Sequence, residues 1–453
     1  MIEPEYDVAV VGGGISGMAA ARALRVAGKT VVVLEASDRF GGRSWSEENP
    51  DGVLEHGGMY IGDDHHALIA LGESVGMTRT PAPLDGQDVF VVDGERIVAV
   101  DDWLPAGTPF AEDVERAFAA IEDLAAAVGW EAPWEHPDAA TLDSTTVQEW
   151  LDSNFDEPAV SLLHNAIFGP LLGAAPSEVS LLFWAYYVAE CGGVDALTAT
   201  RGGLQNEWWL EGASTVSVRI GAFLGDSARL NTPVSRIERS PGAAVLHIPG
   251  GVVVARQVIL ALPPASANRI LFEPSLPAMR DQLQMRAPLG RIAKVVLRYE
   301  KRFWAERGLS GAVINTGEMP FYQLDATKSE EPNATVVAFI GGSSYDYWRT
   351  LDPEQQRAKY LAVVAEALGE EAQHPLHYAT TDWPDEPWKR GGPVTFHPPG
   401  VLSAYGTALR ASVGNIHIAG TEASPRHAGY MEGGVRAGQT SAAAAIAALD
   451  AAN

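Results

Sequence analysis

Apolar positions along this chain follow two periods. Val8 to Val11 is a continuous apolar run stopped by glycines, the pattern of a parallel strand buried on both faces. Ser16 to Ala27 has helix-forming composition, and Gly28-Lys29 punctuates it. Thr30 to Leu34 is a second, β-branched run that ends at Glu35. Together these predict a strand–helix–strand unit at the start of the chain. Helical stretches such as Phe110 to Val128 and Ala159 to Ala166 follow, broken by loops that contain Pro and Trp. Strand patterns return in Gly250 to Leu262, Lys294 to Tyr299 and Thr335 to Ile340, with a helix over Pro353 to Leu368. The last part holds a strand, Ile416 to Gly420, then a loop and a helix from about Gly433. No repeat and no low-complexity linker separates these segments. The pattern predicts an α/β fold whose domains are interleaved, each built from several stretches of chain.

Composition adds exclusions. Hydrophobic residues make up 46% and charged residues 20% of 453 residues, an ordinary globular balance. The formal net charge is −26 and the isoelectric point about 4.7. That charge repels phosphate backbones and anionic membranes, so neither nucleic acid nor a membrane is an expected partner. Cys191 is the only cysteine, which rules out an internal disulfide and a thiolate metal cluster. The chain opens with acidic residues rather than a signal peptide, and no apolar run approaches the ~20 residues of a membrane span. Ser441 to Leu449 is Ala-rich and reads as the end of a helix. A cytoplasmic monomer or homodimer is expected.

The chemistry begins at Gly12-Gly13-Gly14-Ile15-Ser16-Gly17, a G-x-G-x-x-G motif between a strand and a helix. Gly12 allows the tight turn, Gly14 lets the backbone approach a pyrophosphate, and Gly17 permits close helix–strand packing. The helix start offers unpaired N–H groups to phosphates. Glu35, followed by Ala36, stands at the end of the second strand, where an acid accepts hydrogen bonds from a ribose diol. In Arg39-Phe40-Gly41-Gly42-Arg43 the glycines permit close approach, and Arg43 presents a planar fork to a pyrophosphate. Glu55-His56-Gly57-Gly58-Met59-Tyr60-Ile61-Gly62 suits backbone running beneath a flat ring. Asp63-Asp64-His65-His66 has metal-ligand residue types but no further ligand cluster beside it, and reads as a polar loop; no metal is expected.

In this order, the glycine motif, the acid, Gly-Gly-Arg and Gly-Gly-x-Tyr resemble the flavin-containing monoamine oxidase family. The likeness continues through Ser177-Glu178-Val179-Ser180, Tyr187 to Gly193, Pro288 to Lys294, Pro398-Pro399-Gly400, Gly420-Thr421-Glu422 and Gly429 to Gly433. Val179 to Tyr187, Gly391 to Thr395 and Tyr430 to Gly438 resemble the bacterial cyclohexylamine oxidases most. The resemblance implies a Rossmann-type FAD-binding domain (1–80, 205–285 and 381–453) interleaved with a substrate domain of mixed sheet and helices (81–204 and 286–380). It is the layout shared with p-hydroxybenzoate hydroxylase. It also implies oxidation of a small, largely apolar primary amine to an imine, with dioxygen reduced to hydrogen peroxide.

Residue roles carry over by motif position. Lys294 is expected near the flavin's reactive nitrogen, and Tyr430 as one wall of an aromatic cage. Gly12, Gly14, Ser16, Gly17, Glu35, Ala36, Gly42, Arg43, Gly57, Gly58, Met59 and Tyr60 are expected at FAD. So are Val234, Trp383, Gly420, Glu422, Tyr430 and Met431. Leu171, Leu197, Thr198, Gln205, Tyr322 and Phe339 are expected in the substrate cavity, although each also fits ordinary core packing, and Pro393 and Val394 are expected there as well. Mammalian monoamine oxidases carry Cys-Tyr after Gly-Gly. Here Gly391-Gly392 is followed by Pro393-Val394. FAD is therefore expected to be non-covalent, with Pro393 or Val394 as the second wall. An amino-acid oxidase would need a buried Arg for its carboxylate, and a diamine oxidase an acid at the far end of the cavity. A non-catalytic flavin-binding protein would have no need of Lys294 and Tyr430.

Overall fold

A computed structural model describes residues 3–83, 85–99, 108–198 and 202–452. The first apolar run becomes strand Tyr6–Val11, which pairs in parallel with Val31–Leu34 on one side and Gly251–Leu260 on the other. Its last four residues are all buried, as an uninterrupted Val/Ala run requires. Around this core lies an eight-stranded sheet. Val31–Leu34 leads outward to Ala228–Arg229. On the other side Gly251–Leu260 forms an antiparallel pair with Ala243–Ile248 and a parallel pair with Ile416–Ile418.

Helix Ile15–Val26 covers this sheet and packs on the C-terminal helix Met431–Ala451. Glycines in a helix cost up to ~1 kcal/mol each relative to Ala, yet this helix carries Gly433, Gly434 and Gly438. Contact explains them. A Cβ at Gly438 would stand 2.2 Å from the Ser16 carbonyl oxygen, and one at Gly434 2.9 Å from Ile15 Cγ2. The helix begins at Met431 rather than near Gly433, because Tyr430 serves as its N-cap position.

A seven-stranded sheet forms the second half. Ile292–Tyr299 lies between Ala334–Gly341 and His377–Asp382, and all of its residues are buried. Alternation sorts its two faces. Ala293, Val295 and Leu297 join the core beneath helix Pro353–Leu368. Lys294 and Val296 point the other way, toward Tyr60, Tyr322 and Phe339. Helices Ala111–Val128, Pro158–Leu172 and Leu181–Cys191 build the remaining wall around a third core. The fold is thus mixed α/β, with two large mixed sheets. Among the described residues no helix is long and apolar enough to cross a membrane.

Candidate active site

Two cavities meet at Arg43, Ser44, Gly429, Tyr430 and Met431. The larger, of about 540 Å³, runs along the C-terminal ends of the first sheet's parallel strands. Gly12, Gly14, Ser16, Glu35, Ala36, Gly42, Arg43, Val234 and Gly420 line it, as do Tyr430 and Met431. Its shape suits a dinucleotide. Helix Ile15–Val26 starts at Gly14 with no side-chain cap, so its first N–H groups face the cavity. Ser16 Oγ is buried without a partner. Glu35 Oε2 accepts the Gly13 N–H at 2.6 Å, and Oε1 accepts from Ser37 N and Oγ at 2.9 and 2.6 Å. That fixes the acid at the strand end. Gly17 does not line the cavity. It lies beneath it, where a Cβ would stand 2.0 Å from the Gly12 carbonyl oxygen. Glu422 also stands back: Arg43 Nη2 lies 2.9 Å from its Oε1, which also accepts from Thr395 Oγ1 at 2.9 Å.

The smaller cavity, of about 190 Å³, lies between the sheets. Gly57, Gly58, Met59, Tyr60 and Trp383 line it, with Lys294, Leu171, Leu197, Gln205, Tyr322, Phe339, Pro393 and Val394. Strand register explains part of this gathering. Lys294 is opposite Phe339 and Phe339 opposite Tyr322, so three strands put the three side chains in one row. Thr198 is not among the lining residues. Its hydroxyl donates to the Val194 carbonyl within its own short helix at 2.9 Å, and Leu197 takes the cavity side.

Lys294 is 2% exposed. Its ammonium donates to the Gly57 carbonyl at 2.8 Å, lies 3.3 Å from Met59 Sδ and sits 5.3 Å from the Phe339 ring centre. Burial pulls its pKa down to about 7, with Glu55 pulling upward and Lys328 downward. Trp383 is held by an Nε1 hydrogen bond to the His56 carbonyl at 3.0 Å. Arg43, the other charged lining group, donates to the Pro393 carbonyl at 2.9 Å as well as pairing with Glu422. Among the described residues no carboxylate lines this cavity.

Tyr430 is held from several directions. Thr421 Oγ1 donates to the Tyr430 carbonyl at 2.9 Å and accepts the Gly429 N–H at 3.0 Å. Glu432 accepts the N–H groups of Ala67 and Leu68 at 3.2 and 2.7 Å, tying the helix that follows Tyr430 to helix His66–Ser74. Gly429 has φ +88°, and a Cβ there would stand 2.3 Å from Val394 Cγ1. Burial pushes the Tyr430 phenol well above its ordinary pKa.

Behind Tyr430 the fold brings His427 to Asp64 and His65, a meeting of ligand types that the Asp63–His66 sequence did not reveal. His427 Nε2 lies 3.0 Å from Asp64 Oδ2. His65 Nδ1, however, accepts the Gly62 N–H at 2.8 Å. Neutral His65 therefore carries its proton on Nε2, its other ring nitrogen, so neither nitrogen is a free acceptor for a metal. Burial holds the His65 pKa down at about 3.

The model of the flavin containing amine oxidoreductase family matches residues 15–446. The chain belongs to that family. Cyclohexylamine oxidase from Brevibacterium oxydans IH-35A superposes with a TM-score of 0.97 at 46% identity, covering 99% of this chain and 100% of that one. Wild-type putrescine oxidase bound to putrescine gives 0.93 at 35% identity, covering 98% and 99%. Canine amine oxidase [flavin-containing] B is 35% identical over 442 residues, which are 96% of this chain and 85% of that protein. The protein is an FAD-dependent amine oxidase family enzyme. Lys389, which donates to Ser37 Oγ at 2.9 Å beside Glu35, and Arg269 also line the dinucleotide cavity, though no sequence motif marks them. Neither belongs to a glycine motif, and only the fold brings them there.

Proposed function

We propose that this family member oxidises small, largely apolar primary amines, cycloaliphatic or aryl-alkyl, to imines. These hydrolyse to a ketone or aldehyde and ammonia, while dioxygen becomes hydrogen peroxide. FAD, when bound, supplies the acceptor for the hydride equivalent leaving the amine-bearing carbon. The reading rests above all on the smaller cavity, whose described lining holds no carboxylate and is dominated by Leu171, Leu197, Tyr322, Phe339 and Val394. A diamine needs a counter-charge for its second ammonium, and none is present among the described lining residues. An amino acid needs a free guanidinium, whereas Arg43 is already engaged by Glu422 and Pro393. The likeness to the cyclohexylamine oxidase supports the same choice.

In this reading Tyr430 is one wall of the cage and the Pro393-Val394 segment the other. An aromatic face attracts an ammonium, and the dry lining favours the neutral amine, the form that reacts. Lys294 holds a positive charge beside the flavin site and stabilises negative charge developing on dioxygen. The helix start at Met431 directs N–H groups toward the junction of the two cavities. FAD is bound without a covalent link, because Cys191 donates to Glu190 at 3.3 Å and lines neither cavity. The segments 1–80, 205–285 and 381–453 form the flavin domain, and 81–204 and 286–380 the amine domain. Sheet membership supports these boundaries: the eight-stranded sheet falls within the first set, and the seven-stranded sheet departs from the second only at the end of His377–Asp382.

A peroxide assay on the purified holoenzyme tests the substrate class. Cyclohexylamine and benzylamine should be turned over with kcat/KM at least about tenfold above putrescine, the cost of an unpaired buried charge being well over 1 kcal/mol. Faster turnover of putrescine would overturn the assignment.

A further inference from the structure

Glu190 is the penultimate residue of helix Leu181–Cys191 and is fully buried, yet it lines neither large cavity. Apart from a bond from the neighbouring Cys191 thiol, its carboxyl and carbonyl hold the segment that carries Tyr430. Oε2 accepts the Ala428 N–H at 2.8 Å. Its backbone carbonyl accepts from His427 N at 3.3 Å and from Arg426 Nε at 3.0 Å. Oε1 accepts from Cys191 Sγ at 3.3 Å. One residue thus bonds to three consecutive positions, 426 to 428, immediately before Gly429 and Tyr430. Gly429 itself has a left-handed backbone pressed against Val394, so the direction of Tyr430 depends on where Ala428 is fixed.

We propose that Glu190 is a positioning residue for the amine cage, its buried carboxyl fixing Ala428 and thereby the placement of Tyr430 over the substrate cavity. The inference rests on the reading of Tyr430 as a cage wall. Burial pushes the Glu190 pKa up to about 8, opposed by the Ala428 and Cys191 hydrogen bonds and the more distant Arg426 and Arg410. Burial thus favours the uncharged carboxyl, of which glutamine is the close isostere. Glutamine keeps a carbonyl oxygen for the Ala428 N–H, whereas methionine fills the same space without a comparable acceptor.

The experiment is a double-mutant cycle on FAD-loaded enzyme with cyclohexylamine, reading KM and the limiting rate of flavin reduction. E190M should raise KM about tenfold and change the limiting reduction rate less than about twofold, as expected for lost binding rather than lost chemistry. E190Q should restore KM to within about threefold of the wild type. In the Y430A background, E190M should add nothing to KM. A full additive effect there, or equal impairment by E190Q and E190M, would overturn the proposal. Hydrogen exchange on the unmutated holoenzyme gives a second test that does not depend on any variant folding. The Ala428 amide should be protected like the core amides of Leu181–Cys191, and rapid exchange would refute the anchor. If Y430A alone leaves KM unchanged, the cage reading falls, while the Ala428 amide still reports on the anchor separately.

Discussion

Lys294 is a charged side chain in a strand whose other residues, apart from Arg298, are apolar or aromatic and whose every residue is buried. Its cost is electrostatic: with a folded pKa near 7 instead of 10.5, the native state disfavours the ammonium. The sign follows from proton linkage. Between pH 7 and 10.5 the unfolded chain binds more protons, so stability rises with pH across that window. Lys294→Met should therefore raise Tm, and most clearly below pH 7. Function should move the opposite way. In stopped flow the Met variant should show flavin reoxidation slowed about a hundredfold or more, with reduction changed much less, as for loss of a transition-state donor. In the wild type, reoxidation should slow as pH rises through about 7, and the Met variant should lose that limb. Equal slowing of both half-reactions would remove Lys294 from the oxygen step.

At the scale of elements, the Gly429 turn couples the two walls of the cage. Gly429→Ala must accept a left-handed backbone and displace Val394 Cγ1, which lies 2.3 Å from the new Cβ position. Such strain costs about 1–3 kcal/mol. The expected outcome is a lower Tm and a higher KM for cyclohexylamine, with flavin absorbance retained; unchanged KM would show that the walls move independently. The sequence made some elements plain and hid others. Tyr6–Val11, Ile15–Val26 and Val31–Leu34 were legible because an apolar run, a glycine motif and a helix pattern all agree there. Lys294, Phe339 and Tyr322 share a row only through strand register, which no local pattern states. The start at Met431 was obscured by Gly433 and Gly434, whose poor helix propensity is overridden by close contact, Gly433 with the His427 carbonyl and Gly434 with Ile15. Thr198 and Leu197 are neighbours on one turn, and motif position alone could not say which faces the cavity. His427 reaches Asp64 only by folding, so the Asp63–His66 stretch looked isolated.

The whole molecule holds several buried imidazoles that stay neutral well below the pH at which a free imidazole protonates. His65 and His164 are held near pKa 3 and His397 near 4 by burial. Below the ordinary value of about 6.5 the unfolded chain takes up these protons and the native state does not, so stability falls as pH falls from 6.5 toward 3. Each such group contributes a slope of up to ~1.4 kcal/mol per pH unit in that window. Tm should therefore drop steeply on acidification below about pH 6, and replacing His164, whose ring nitrogens have no partner, with Phe should flatten the drop. An unchanged acid limb would mean that other groups control it. The dinucleotide cavity adds the last consequence at this scale. It lies along one sheet and opens into the inter-sheet cavity at Arg43 and Tyr430, so a bound FAD would touch both halves of the molecule. A ligand that binds only the folded state stabilises it by RT ln(1 + [L]/Kd), about 2.7 kcal/mol at a hundredfold excess over Kd. Flavin-free protein should consequently melt several degrees lower than the loaded enzyme, and Tm should climb with added FAD. Because Cys191 is directed at Glu190 and not at the cofactor cavity, trichloroacetic acid should precipitate a colourless protein and leave the yellow flavin in the supernatant. Flavin that stayed with the pellet would require a covalent bond from some other side chain and would contradict a non-covalent site.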